Sequence, residues 1–364
     1  MRIRSLRGSR WRNLSPFELK PRARVVVLWG DNGQGKTNVI EAIYFLATLR
    51  SFRTGDNGNL ICAGAESAQL GAEVEVGGLE RRVEVDVKPG RRSVSIDGKG
   101  ARGPSAIFGG FNAVLFVPED ILLPRAAPSV RRRFLDLAVF GQERGYYREA
   151  AAFQRVLRSR NVLLRKGSTG PRLLETYDGE LARLGARVVV RRRALVADLE
   201  PRVVAVFGQM GVGMKVGLRY QSDETIEAAA DEEAVREALL KGFVRSQPID
   251  ERRGYTSFGP QNDDLDIRLG TRSAGEHASQ GQLRSIVLAL KIGELQALGE
   301  RAGEPPVLLL DDLASELDAG RRKYLMEIVD ELTCQTMVST TDPAFIPGVR
   351  DRQEFQVVKG EIRG

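Results

Sequence analysis

The chain contains two cysteines and one histidine in 364 residues. Cys62 and Cys334 lie far apart without a CxxC spacing, and His277 stands near neither, so zinc-ligand and disulfide frameworks are both unsupported. The two thiols are expected to be reduced packing residues. Long apolar runs are also missing: none approaches the roughly 20 residues that cross a bilayer. The start, Met1-Arg2-Ile3-Arg4, lacks the apolar segment of a secretory signal. A cytoplasmic protein with no membrane partner is the expectation, and neither an internal repeat nor a low-complexity tract alters it.

With 42% hydrophobic and 28% charged residues, the chain can bury a sizeable core in two or three compact units. Residues 2–7, 24–29, 70–76, 81–88, 92–97 and 113–117 read as strands, and the short links after 76 and 88 predict an antiparallel meander beside the first phosphate-loop strand. From about residue 129 to 206 the texture becomes helical, with Leu181, Leu184, Val188, Leu195 and Leu199 at helical spacing. A short strand at 215–218, helices at 232–243 and after Ser279, and a strand at 307–311 return the chain to α/β texture. The acidic stretches 224–233 and 262–266 read as solvated surface or loop.

The fold class expected is therefore α/β, a P-loop ATPase head with a mixed sheet and an antiparallel meander, interrupted by a helical arm. The expected divisions are 1–125 and 209–364 for the head and 126–208 for the arm.

Gly30-Asp31-Asn32-Gly33-Gln34-Gly35-Lys36-Thr37 matches GxxxxGK[ST] between a strand and a helix. Its glycines let successive amide N–H groups wrap phosphates, and the helix N-terminus adds partial positive charge. Lys36 would bridge the β- and γ-phosphates of ATP, and Thr37 would hold Mg²⁺. Its catalytic partner is the run Val307–Leu310 followed by Asp311 and Asp312. Asp311 is read as the residue that orients Mg²⁺, and Asp312 as the general base on water. Ser279-Gln280-Gly281-Gln282 precedes a long helix, and Ser279 with the backbone near Gly281 could receive a phosphate there. Ser315-Glu316-Leu317-Asp318 follows the paired acids.

In this order the motifs resemble the ATP-binding-cassette superfamily. Within it, Trp11-Arg12-Asn13-Leu14 resembles the start of SMC-like and RecF-like ATPases. Phe116–Asp120, Pro128–Asp136, Gly259-Pro260 with Asp263–Leu265, and Ser279–Gln282 look like the RecF family of bacterial recombination mediators. The resemblance implies an ATP-dependent head-to-tail dimer, in which Gly30–Thr37 of one copy and Ser279, Gly281 and Gln282 of the other sandwich each ATP. It also adds Arg12, Asn13 and Asn38 to the nucleotide-binding set. It further implies a weak, DNA-dependent ATPase used as a switch, acting in recombinational repair and replication-fork maintenance. RecR and RecO are the implied partners in placing RecA on gapped DNA. Where the family carries histidine after Gly-Pro this chain has Gln261, and where the superfamily carries a switch histidine it has Ser339-Thr340-Thr341. Asp312 replaces a longer glutamate, which implies slow hydrolysis.

Residues 130–200 hold 16 Arg+Lys against 8 Asp+Glu, more than the whole chain's net charge of +7. Arg131, Arg132, Arg133, Arg187, Arg191, Arg192 and Arg193 are candidates for DNA backbone contacts, and the scarcity of aromatics among them argues against base stacking. Two other readings use the same loop. A transporter's nucleotide-binding subunit would need a shorter separation between loop and acids, and a small-molecule kinase would leave Ser279–Gln282 and Ser315–Asp318 without a role.

Overall fold

The computed structural model describes residues 1–101, 111–143, 145–167, 171–312, 318–346 and 348–364. It divides into two units: Met1–Ile121 with Leu290–Gly364, and Leu122–Ala289.

In the first unit β1 (Arg2–Ser9), β2 (Phe17–Leu19), β4 (Ala68–Val76), β5 (Leu79–Lys88), β6 (Arg91–Ile96) and β7 (Lys99–Ala101) form one antiparallel sheet in the order β2-β1-β4-β5-β6-β7. Val83, Val85 and Val87 of β5 are buried, while Glu80, Arg82, Asp86 and Lys88 between and beside them are exposed, the period-2 signature of a sheet with one wet face. The meander pairs with β1, Leu6 opposite Ala72, and not with the strand before the phosphate loop as its sequence position suggested.

That strand, β3 (Val25–Trp29), lies in a second sheet of order β15-β14-β3-β13-β12-β8. Its companions are β8 (Ala113–Phe116), β12 (Val307–Leu310), β13 (Thr336–Thr340), β14 (Arg352–Val358) and the antiparallel β15 (Glu361–Arg363). Val25 to Leu28 are all buried, as a run flanked on both sides by parallel strands must be. Helix α1 (Lys36–Thr48) follows β3 and buries Val39, Ile40, Ile43 and Phe45, with the Trp11 ring tilted against Phe45, centroids 5.2 Å apart.

The second unit holds α2 (Pro128–Gln142), α3 (Tyr146–Lys166), α4 (Pro171–Gln209), α5 (Glu224–Glu227), α6 (Glu232–Arg253) and α7 (Ala274–His277). A small sheet of β9 (Val216–Gln221), β10 (Asp264–Leu269) and β11 (Arg272–Ser273) belongs with them. The helical unit therefore runs well past residue 208, because β9 and α6 pack on α4. The stretch 262–266 is no solvated loop. Asp263 is buried, accepting hydrogen bonds from Tyr220 Oη and Ser222 Oγ, and β10 begins at Asp264. Arg192 of α4 and Arg132 of α2 offset its charge, a long-range pairing that local composition does not reveal. Helix α8 (Gln280–Ala302) starts in this unit and ends in the first, and α9 (Ala319–Glu331) follows β12.

Candidate nucleotide site

The phosphate loop leaves β3 and the paired acids leave β12, with β13 between those two strands. Ligands of open α/β sheets bind at such carboxyl ends. Gly30 has φ 148°, and a Cβ there would stand 2.3 Å from the Val357 carbonyl oxygen, so only glycine lets the loop pass β14. At Gly35, φ 117°, a Cβ would meet Leu14 Cδ2 at 2.7 Å. The turn between β14 and β15 braces the loop from outside: the Gly360 N–H donates to the Gln34 carbonyl at 2.9 Å and the Lys359 N–H to Gln34 Oε1 at 2.5 Å.

Helix α1 starts with no side-chain cap and no acid in its first turn, so its N-terminal partial charge is not neutralised locally. Among the described residues, no amide N–H from Asp31 to Thr37 donates a hydrogen bond to another group of the chain. Seven orphan donors on a glycine-shaped loop fit an anion with several oxygens.

Lys36 is 5% exposed, and its Nζ donates to the Gly30 carbonyl at 2.7 Å and the Asp31 carbonyl at 2.9 Å. Burial lowers its pKa, against the pull of Asp312, Asp311 and Asp31. Thr37 Oγ1 donates to Asp311 Oδ1 at 3.0 Å, joining the two residues expected to hold Mg²⁺. A hydroxyl beside a carboxylate is a hard-oxygen donor pair suited to that ion, which keeps most of its ligands as water and phosphate.

Sequence reasoning missed the role of Ser339. Its Oγ donates to Asp311 Oδ1 at 2.6 Å and accepts from the Asp312 N–H at 2.9 Å, so one hydroxyl on β13 fixes both acids. Asp312 has φ 46°, a left-handed residue that ends β12 abruptly. The hydroxyls of Ser339-Thr340-Thr341 were visible where a histidine was sought, but the bond across strands was not.

Burial raises the Asp311 pKa, while hydrogen bonds from Ser339 and Thr37 oppose the rise. A carboxyl with a raised folded pKa is held more tightly as an acid by the folded state. Its contribution is complete below the unfolded value near 3.8 and is lost as pH climbs through the folded pKa. Without Mg²⁺, Asp311→Asn should therefore melt higher than the parent at pH 7, and the gap should close towards pH 4. Paired thermal melts across pH 4–8 check this, and a parent that melts above the variant at pH 7 contradicts it.

Arg12 is held by α1. Its guanidinium makes a two-bond pair with Glu41, Nε to Oε2 at 2.8 Å and Nη2 to Oε1 at 2.7 Å. Glu41 is fully buried on α1 and also accepts from Ser51 Oγ at 2.5 Å. A lone acid within the apolar run Val39-Ile40-Glu41-Ala42-Ile43 was the available sequence signal for this clamp. Asn13 does reach the site: its Nδ2 donates to the Gly33 carbonyl at 3.3 Å and its Oδ1 accepts from Asn38 Nδ2 at 2.6 Å. Asp31, Asn32 and Gly33 are exposed at the rim.

The family model described as "RecF/RecN/SMC N terminal domain" matches residues 2–360. A curated relative from Myxococcus xanthus, "DNA replication and repair protein RecF", is 41% identical over 96% of this chain and 93% of its own. The chain belongs to the RecF family. A second relative of the same description, from Anaeromyxobacter sp. (strain Fw109-5), is also 41% identical, over 99% of this chain and 98% of its own. Among solved structures, "the recombination mediator protein RecF-ATPrS in RecFOR pathway" superposes with TM-score 0.93 at 29% identity, covering all of this chain and 97% of its own. An SMC head bound to a ScpA domain superposes at TM-score 0.59 and 15% identity, a likeness of fold alone.

The other residues singled out in this RecF-family chain fall in the helical unit or outside the described residues, apart from Asp318 of the first unit. Ser279 and Gln282 form a reciprocal capping box at the start of α8: the Ser279 N–H donates to Gln282 Oε1 at 2.8 Å, and the Gln282 N–H to Ser279 Oγ at 3.2 Å. Gly281 lies in the first turn between them. Ser315 to Leu317 lie outside the described residues, while Asp318 caps α9 through the Arg321 N–H at 3.0 Å. Gln261 donates to the Phe258 carbonyl at 2.7 Å, holding its own turn.

The arginines proposed for DNA are mostly committed inside the helical unit. Arg131 forms a two-bond pair with Asp264 at 2.7 and 2.6 Å, and Arg132 donates to the Asp263 carbonyl at 2.8 Å. Arg187 pairs with Glu149 and Glu232, and Arg191 with Glu143 and Glu149. Arg192, 4% exposed, pairs with Asp136 and donates to the Pro260 carbonyl, and Arg193 donates to the Ala229 and Ile226 carbonyls. Only Arg133 of the seven is exposed. Most of this set is thus a set of internal fasteners, because acids distant in sequence come back to meet it.

Proposed function

We propose that this chain is an ATP-dependent DNA-binding protein of recombinational repair and replication-fork maintenance, in which a slow ATPase acts as a switch. The observation that carries the reading is the junction of Lys36, Thr37, Asp311, Asp312 and Ser339 around a loop of unpaired amides. The loop amides and Lys36 bind and orient the polyphosphate. Thr37 and Asp311 would hold Mg²⁺, which when bound would supply positive charge to offset the negative charge developing on the phosphoryl oxygens. Asp312, anchored through its N–H by Ser339, takes the proton of the attacking water. Ser279, Gly281 and Gln282 present a helix N-terminus to the nucleotide of a second copy, giving a head-to-tail dimer that clamps DNA until hydrolysis releases it. The RecFOR-pathway setting of the RecF structures supports RecR and RecO as partners; with them the chain would place RecA on gapped DNA in the cytoplasm.

Sedimentation with gapped duplex DNA tests the reading. Without nucleotide the protein should run as a monomer apart from DNA, and with ATP as a dimer that carries DNA. Asp312→Asn should hold the ATP-bound complex while lowering turnover by about 10²-fold. A mass and DNA retention that ignore ATP would refute the switch.

A further inference from the structure

The cations of the helical unit fall into two classes, and the division follows the faces of α3. That helix buries Tyr146, Phe153, Leu157, Arg160 and Leu164 along one side. The opposite side carries Arg148, Arg155, Arg158, Arg165 and Lys166, all exposed. Among the described residues none of these five has an ion-pair or hydrogen-bond partner, whereas Arg131, Arg187, Arg191 and Arg192 all pair with acids. The only acid on α3, Glu149, is turned to Arg187 and Arg191. At 1.5 Å per residue the stripe from Arg148 to Lys166 is about 27 Å long.

The end of α6 continues it. A Cβ on Gly254, the residue that caps α6, would stand 2.9 Å from Arg165 Cγ, so the two helix ends abut. This brings exposed Arg252 and Arg253 to the stripe. The exposed acids of α4 and α6 are Glu175, Glu200, Glu232, Glu233, Glu237 and Glu251; Glu232, Glu233 and Glu237 pair with Arg187, Arg236 and Lys241, and Glu251 accepts from Gln247. Among the described residues none of these acids is paired with the seven cations of the stripe and its extension.

Helix electrostatics explains part of this pattern. Arg165, Lys166, Arg252 and Arg253 sit in last turns, where cations stabilise the helix dipole. Arg148 lies in the first turn, where a cation is unfavourable, and Arg155 and Arg158 lie mid-helix, where the dipole contributes nothing. No fold-stabilising contact accounts for those three.

We infer that the outer face of α3, extended by the end of α6, is a track for the phosphate backbone of duplex DNA. The inference rests on the DNA-binding reading above and gives it a surface other than the arginines first chosen from sequence. A duplex offers one negative charge per roughly 1.7 Å of axis, so about 27 Å of stripe faces ample phosphate. The sizeable exposed apolar residues on α3 and at the end of α6 are Val162, Ile249 and Tyr255, three against seven cations, a balance that favours a polyanion over the apolar core of a protein interface or membrane insertion.

The test is duplex binding by the full chain with saturating ATP, titrated between 50 and 300 mM salt. Arg148→Ala/Arg155→Ala/Arg158→Ala should bind about tenfold more weakly at 0.1 M salt. Its log–log salt slope should be shallower by about 2.7, from three lost phosphate contacts at 0.9 each. Melting temperature and basal ATP turnover should be unchanged. Arg183→Ala, which removes an exposed arginine already paired with Glu180, should bind within twofold of the parent. Equal affinity and equal slope for the triple variant and the parent would overturn the track while leaving ATP-dependent DNA binding intact. A parent that binds no duplex in any nucleotide state would instead overturn that underlying reading, and a triple variant that loses only an acidic protein would assign the face to a protein partner.

Discussion

Lys36→Met should lower ATP turnover by about 10²- to 10³-fold while leaving the protein folded. The lysine is among the few charged groups of the first unit that are nearly fully buried, and its cost is visible in the direction of its pKa, lowered by burial despite three nearby aspartates. Methionine keeps the length and apolar bulk of the stem but removes the cation. The Gly30 and Asp31 carbonyls lose a donor, and a buried charge is relieved at the same time, so the two changes in stability oppose each other. No such offset exists for the reaction, because no other residue of Gly30–Thr37 supplies a positive charge where the transferred phosphoryl group would lie. Single-turnover hydrolysis, together with a thermal melt, separates the two effects. Turnover within threefold of the parent would remove Lys36 from the chemistry, and a collapsed melt would make its role structural.

Much of this site was legible because its parts are local. Gly30 to Thr37 declare a strand, a tight loop and a helix within a few residues, and Val307 to Asp312 declare a buried strand with acids at its exit. What the sequence did not declare is how partners meet across long separations. Ser339 becomes the common anchor of Asp311 and Asp312 only because β13 lies between β3 and β12, and strand order is not written in any one segment. The Gln34 contacts with Lys359 and Gly360 likewise depend on β14 passing beside the loop.

The internal engagement of the helical unit's arginines was hidden for the same reason. Their excess over acids was correctly counted within residues 130–200, but Asp264, Asp263 and Glu232, which engage Arg131, Arg132 and Arg187, lie beyond that window. Charge counted along a segment measures composition. The surface is set by which cations lack partners after folding, and that property singled out α3.

Arg160→Ala should be the most damaging single change in the helical unit, lowering stability by about 3–5 kcal/mol. The guanidinium is wholly buried, with Nε donating to Asp178 at 2.6 Å and Nη1 to Asp250 at 2.8 Å and to Thr256 Oγ1 at 2.9 Å. Its plane also lies 5.5 Å from the Phe243 ring centroid, which faces the cation with π density. Asp250 in turn accepts from the Ser257 N–H and hydroxyl at 2.9 and 2.5 Å, so α3, α4, α6 and the turn after α6 share one charge cluster. Removing the cation leaves two buried carboxylates facing each other without compensation. Burial already raises the Asp178 pKa with Arg160 present, and its loss would raise it further. Since a raised folded pKa makes stability fall as pH rises, the variant should lose most at neutral pH and recover part of the deficit near pH 4. Arg160→Lys keeps the charge but cannot span both carboxylates and Thr256, so it should fall between the two. Urea unfolding by circular dichroism at pH 4.5 and 7.5 resolves the three proteins, and a midpoint for Arg160→Ala equal to the parent's at both pH values would show that the cluster does not hold the unit together.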